Sequence, residues 1–206
     1  MTSSADRGAR EDAVPDGGPG PGRARERCAS APSPFLLAWI EPALAAAAAT
    51  RAPAVDVACG RGRHALALAA RGAPAVGIDR DGAALRALAA EARALPVRVV
   101  RADLEASPAY PLAAGCAGAV LVFRYLWRPR VRALAALLAP GGLLLYETFV
   151  RGREKVAHEP GNPAFVLAPG ELPSLFPALR VEHYEETLAE GPRGPERLAR
   201  LAARRV

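Results

Sequence analysis

The run Ala54-Val55-Asp56-Val57-Ala58-Cys59-Gly60-Arg61-Gly62-Arg63-His64-Ala65 decides how the chain folds. Residues 54–58 are apolar except for Asp56 and read as a short buried strand. Gly60 and Gly62 let the backbone turn tightly and let a ligand approach with no Cβ in the way. The apolar spacing over residues 64–71 predicts a helix. The first N–H groups of such a helix lack partners within it, and they face whatever occupies the turn, with the positive end of the dipole behind them.

Downstream, short apolar runs alternate with helical patterns. Residues 75–78 read as a second strand, followed by a helix with Ala83, Leu85, Leu88 and Ala92 on one stripe and Asp81 as its N-cap. Residues 97–100 and 120–123 read as strands three and four. Residues 130–138 read as a helix, and residues 143–150 as a fifth strand after Pro140-Gly141-Gly142. A βαβ alternation of this kind predicts a parallel sheet with helices on both faces. The end differs: residues 180–184 and 197–206 read as an antiparallel pair joined by a Gly/Pro loop. Upstream, Ser33-Pro34 is a helix start, with Phe35, Leu36, Trp39 and Ile40 as its buried stripe.

Residues 1–31 are rich in Gly, Pro, Ser and charge and are expected to be a disordered tail, leaving residues 32–206 as one domain. At 51% hydrophobic composition that domain can build a core without staples. Three cysteines with no paired spacing point away from a disulfide framework or a zinc site, and His158 and His183 lack partners at metal-ligand spacing, so no metal is expected. No signal segment or membrane-length apolar run occurs, which predicts a cytoplasmic protein. The net charge of +6 raises the question of RNA. Lys155 is the only lysine, however, and arginines are scattered throughout. The densest cluster, Arg193, Arg197, Arg200, Arg204 and Arg205, lies among Glu190 and Glu196 and reads as a solvated face. No segment signals an oligomeric state.

Asp79 ends the second strand where an acid can accept from two adjacent ribose hydroxyls. Gly60-x-Gly62-x-x-Ala65 by itself also fits a dinucleotide fingerprint, so an NAD(P)-dependent oxidoreductase stands as one alternative. Two further acids and the terminal strand pair weigh against it. Asp56 stands four residues before Gly60 in a DxxxGxG pattern, and Asp103-Leu104 follows the third strand. With these go Tyr125-Leu126-Trp127-Arg128-Pro129, Tyr146-Glu147-Thr148-Phe149, Asn162-Pro163-Ala164-Phe165 and Pro169-Gly170-Glu171-Leu172. On these motifs, residues 33–206 resemble class I S-adenosylmethionine-dependent methyltransferases, and more narrowly the small bacterial branch related to tellurite-resistance methyltransferases.

The resemblance implies a Rossmann-like, seven-stranded, mostly parallel sheet ending in an antiparallel pair, with S-adenosyl-L-methionine as cofactor. It implies that Asp56, Gly60 and Gly62 belong to the loop around the methionine moiety, with Arg63 neutralising its carboxylate. It places Asp79 on the ribose and Asp103 with Leu104 at the adenine. Ala58, Cys59, Arg80 and Phe123 are expected to line the same site. Ala58 stands where glycine is common, and Arg124 where relatives carry a small polar residue. The reaction implied is direct displacement at the sulfonium methyl, needing position and electrostatics rather than a protein nucleophile. Phe123, Arg124, Tyr125, Glu147, Thr148 and Phe149, at the carboxyl ends of strands four and five, are the candidates beside the methyl; of these Arg124, Tyr125 and Glu147 are the catalytic candidates, with Glu147 or Tyr125 as general base. A small-molecule acceptor is favoured, with RNA as another. A non-catalytic module binding S-adenosylmethionine or RNA is the remaining alternative. His64 reads as a packing or capping residue, Cys59 as a small apolar contact to the cofactor, and the N-terminal helix and residues 151–173 as elements that close over the acceptor.

Overall fold

A computed structural model of the chain describes residues 31–106, 110–153, 156–191 and 194–206. The expected tail therefore falls, apart from Ala31, outside the described residues. The order is α1 (Pro34–Ala38), α2 (Ile40–Thr50), β1 (Ala54–Val57), α3 (Arg63–Ala69), β2 (Ala75–Asp79), α4 (Gly82–Glu91), β3 (Val97–Arg101), β4 (Ala117–Phe123), α5 (Val131–Leu137), β5 (Leu138–Phe149), α6 (Glu171–Ser174), β6 (Arg180–Gly191) and β7 (Gly194–Arg204). One seven-stranded sheet runs β3-β2-β1-β4-β5-β7-β6. The first five strands are parallel; β7 pairs antiparallel with both β5 and β6.

Burial explains this order. Every residue of β1 and β4 is buried, as central strands covered on both faces require. β3 is an edge, and it carries exposed Arg98 and Arg101, which discourage pairing with another chain. One face packs Ala54, Ala119, Leu121, Leu143 and Leu145 against Phe35, Leu36 and Ile40 of α1 and α2 and Leu68 of α3. The other packs Val55, Val57, Val120, Val122, Leu144 and Tyr146 against Leu134 of α5 and Leu172 of α6. Ser33 caps α1 by accepting from Phe35 N–H at 3.2 Å, and Asp81 caps α4 by accepting from Ala83 and Ala84.

The structure differs from the sequence reading at several element boundaries and in the role of the C-terminal arginines. β5 begins at Leu138, with an irregularity in its pairing to β4 where Pro140-Gly141-Gly142 was read as a preceding loop. β6 extends seven residues past the expected end at position 184, to Gly191. The C-terminal arginines form a cross-strand ladder rather than a solvated face. Arg200 pairs with Glu185 at 2.9 Å, Arg204 with Glu182 at 2.8 Å and Arg197 with Glu186 at 3.5 Å. Opposite charges facing each other across an antiparallel pair stabilise it without an apolar alternation, so the polar half of β6 gave no strand signal.

Candidate functional site

The loop after β1 departs from ordinary backbone at three of five positions: Ala58, Gly60 and Gly62 have φ of 55°, 55° and 73°. For Ala58 the left-handed conformation costs about 1–2 kcal/mol. The loop is held from outside. Gly60 N–H donates to Asp79 Oδ2 at 2.7 Å, Cys59 N–H to Ile78 O at 2.9 Å, and Gly62 N–H to Cys59 O at 2.8 Å. The other Asp79 oxygen accepts from Asp81 N–H at 2.8 Å. A Cβ on Gly60 would meet nothing within 4 Å, whereas one on Gly62 would lie 2.4 Å from Leu88. The first glycine thus borders open space, and the second permits α3 to pack on α4.

Asp56 is buried and accepts from Ala65 N–H at 3.1 Å, which ties β1 to the first turn of α3. Burial raises its carboxyl to about 7, against the opposing pull of the Ala65 N–H and Arg63. The Cys59 side chain packs with Leu85 and Leu88. Its burial, with Asp56 and Asp79 nearby, pushes the thiol far up and keeps it protonated.

Two cavities open at the carboxyl ends of the strands. The smaller, about 150 Å³, is lined by Ala58, Asp79, Arg80, Ala102, Asp103, Leu104, Glu105 and Tyr125. Asp103 Oδ1 accepts from Glu105 N–H at 2.9 Å, fixing its turn. The Tyr125 hydroxyl is buried with no hydrogen-bond partner among the described residues. Behind Leu104, buried Arg130 donates to its carbonyl at 2.9 Å and sits 4.6 Å from the Tyr110 ring centroid.

The larger cavity, about 910 Å³, has a charged wall built from elements far apart in sequence: Ser33, Arg63, Arg124, Glu147, Glu196 and Arg200, with Phe149 and His158. Glu147 is fully buried, accepts from Ser33 Oγ at 3.0 Å and from Arg200 Nε at 2.8 Å, and lies 3.4 Å from Arg124 Nε. Arg124 Nη1 pairs with buried Glu196, and its guanidinium lies 5.1 Å from the Phe149 ring centroid. Arg124 itself has φ of 60°. Arg63 donates to Ala31 O at 3.2 Å. Partial burial, and then the charge of Arg124, pull its guanidinium below the ordinary arginine value. Beneath this wall His64 Nε2 accepts from Ser33 N–H at 3.3 Å, with its ring 4.0 Å from that of Phe123. Burial, with Arg63 and Arg124 adding to it, lowers its imidazole to about 3, so it is neutral.

The structure thus gathers Ala58, Asp79, Arg80, Asp103, Leu104 and Tyr125 around one cavity and Arg63, Arg124 and Glu147 around the other. It separates Tyr125 from the two residues with which it was grouped. Phe123 and Cys59 turn into the packing on the α1–α4 face and line neither cavity, and Asp56 is sealed beneath the loop. Sequence reasoning missed Ser33, Glu196 and Arg200 as wall residues. One signal was available: Glu147 interrupts the otherwise apolar β5, and a charge in a buried strand demands partners.

Residues 54–142 match a family model described as a methyltransferase domain. No curated protein matches the chain in sequence. Among solved structures, TehB from Haemophilus influenzae superposes with a TM-score of 0.62 at 18% identity, covering 81% of this chain; the chain spans 62% of TehB. An S-adenosylmethionine-dependent methyltransferase from Methanosarcina mazei gives 0.60 at 16% identity, covering 75% of this chain and 92% of the other. Geranyl diphosphate C-methyltransferase from Streptomyces coelicolor A3(2), solved with Mg2+, geranyl diphosphate and S-adenosyl-L-homocysteine, gives 0.58 at 16% identity, covering 76% and 72%. Residues 54–142 are thus similar to a methyltransferase domain, and the sheet order with its terminal antiparallel pair gives the chain the fold of the S-adenosylmethionine-dependent methyltransferases on which it superposes.

Proposed function

We propose that the chain transfers the methyl group of S-adenosylmethionine to a small-molecule acceptor held in the larger cavity. One observation carries this reading. Arg124 and Tyr125 are consecutive at the end of β4, yet Tyr125 lines the smaller cavity and Arg124 the larger, so cofactor and acceptor chambers meet there.

The residues present fit the cofactor. The open space beside Gly60, the left-handed Ala58 and the orphaned Tyr125 hydroxyl are features a bound nucleoside would use. When bound, S-adenosylmethionine supplies an electrophilic methyl on a sulfonium. Asp79 would accept from ribose hydroxyls with the lone pairs its two backbone partners leave free, and Asp103 from the adenine amino group. Arg63 would exchange the Ala31 carbonyl for the cofactor carboxylate, a charge-assisted and stronger bond. Glu147 has both oxygens engaged by Ser33 and Arg200, so its role here is positional: it holds Arg124 against the acceptor chamber. Tyr125 faces the nucleoside side and takes no proton from the acceptor.

A chamber of about 910 Å³ is in the size range of small-molecule sites, and the pairing of Arg197, Arg200 and Arg204 with β6 glutamates weakens the case for that basic cluster as an RNA surface. No helix among the described residues is long and apolar enough to cross a membrane, consistent with the cytoplasmic site of action we propose. Incubation with methyl-labelled S-adenosylmethionine and separate metabolite, RNA and protein fractions tests the reading. Label is expected in the metabolite fraction. Label confined to RNA or protein would overturn it.

A further inference from the structure

The opposite end of the sheet carries a second cavity of about 910 Å³ that plays no part in methyl transfer. Its wall is a row of prolines: Pro53, Pro74 and Pro96 each stand one residue before β1, β2 and β3. Their carbonyls accept from Gly118, Ala54 and Ala75 N–H, each at 2.9 Å, and a proline offers no N–H of its own. The strand edge is therefore satisfied and presents rings rather than polar backbone. Leu44 of α2 and Leu95 close the sides, half-buried, and where a larger residue would fill the space α2 offers only alanines, including exposed Ala48.

Around this apolar trough stand three exposed guanidiniums, Arg51, Arg71 and Arg98. No aspartate or glutamate lines it, and none of the three has a carboxylate partner among the described residues. Arg71 donates only to Ala67 O, at 2.9 Å. Arg51 ends α2 at φ of 52°, a left-handed position usually given to glycine. Arginines of the β6–β7 ladder, by contrast, face glutamates across the strands. Here the chain gathers like charge at the lip of a cavity in the size range of ligand pockets, with apolar walls and few polar groups.

We infer that this trough binds an amphiphilic carboxylate, its aliphatic body against the proline wall and its anionic head among the arginines. Calorimetric titration of the full chain with octanoate, octan-1-ol and acetate tests the assignment. Octanoate is expected to saturate one site, with the neutral and the truncated probes bound at least about 10-fold more weakly, because each lacks one half of the match. The double variant Arg51→Ala/Arg98→Ala should weaken octanoate at least about 10-fold, and Ala48→Glu, which sets a competing carboxylate on the lip, should do the same. All three sites are exposed, so the thermal midpoints of both variants should match that of the wild type. Absence of saturable octanoate binding, equal affinity for octan-1-ol, or undiminished affinity in the double variant would overturn the inference. So would tight binding of poly-glutamate that octanoate fails to displace, which would give the trough to an acidic protein partner.

Discussion

Gly60 and Gly62 are two residues apart and serve different ends. Gly62→Ala combines a positive φ with a 2.4 Å collision against Leu88, and should cost on the order of 3 kcal/mol or more in urea unfolding. Gly60→Ala meets only the left-handed penalty, about 1–2 kcal/mol, yet should weaken S-adenosylhomocysteine binding because the new methyl enters the space beside the loop. Equal stability loss in the two variants would contradict this division. Their spacing was legible in the sequence; the division was not, because it depends on where Leu88 of α4 arrives. Two buried titratable groups nearby make opposing demands on pH. The Asp56 carboxyl, raised from 3.8 to about 7, keeps in the folded state a proton that the unfolded chain has released. Its contribution to stability is therefore full below about pH 4 and declines as pH rises to about 7. The His64 imidazole, lowered from 6.5 to about 3, contributes fully above about pH 6.5 and loses that contribution as pH falls toward 3. Between these limits the two effects offset each other. In Asp56→Asn, which can still accept from Ala65, the urea midpoint should rise with pH across pH 4–7 more steeply than in the wild type. In His64→Gln, which retains an acceptor for Ser33, the midpoint should instead fall over that range. Parallel pH profiles for wild type and both variants would refute the assignment.

At the scale of elements, the βαβ alternation was readable because β1 and β4 are buried on both faces and show as plain apolar runs. The β6–β7 pair was readable only in its apolar half. Beyond position 184 the strands are held by Glu185, Glu186 and Arg200, which in sequence look like a solvated charge run. The same ladder reaches the site, since Arg200 bonds Glu147 as well as Glu185. Arg200→Met keeps most of the stem but leaves the buried Glu147 short of a partner. A loss of about 3 kcal/mol is expected, toward the lower end for a broken buried pair because Ser33 and Arg124 remain. Adding Glu147→Gln should restore part of it, since the stranded charge is then gone. If the double variant is less stable than the sum of the two single changes, the pairing is not what holds this edge.

For the molecule as a whole, the loop and its acids were found by spacing, since a strand, a tight turn and a helix are local and their residues adjoin. The acceptor wall could not be found that way. Ser33 caps the first helix, Arg63 opens the third, Arg124 directly follows β4, Glu147 lies in β5, and Glu196 and Arg200 come from the last strand. Only the sheet order brings them together, and it places them across the end of β4 from the cleft of Asp79 and Asp103. The claim on which the rest depends is that this cleft holds the adenosine of the methyl donor. Calorimetric titration of the wild type and Asp79→Ala with S-adenosylhomocysteine tests it most directly. One-to-one binding is expected, weakened roughly 10-fold or more in the variant, since charged hydrogen bonds to the ribose are worth about 1.5–3 kcal/mol. Absence of binding to the wild type, or equal affinity in the two proteins, would contradict it.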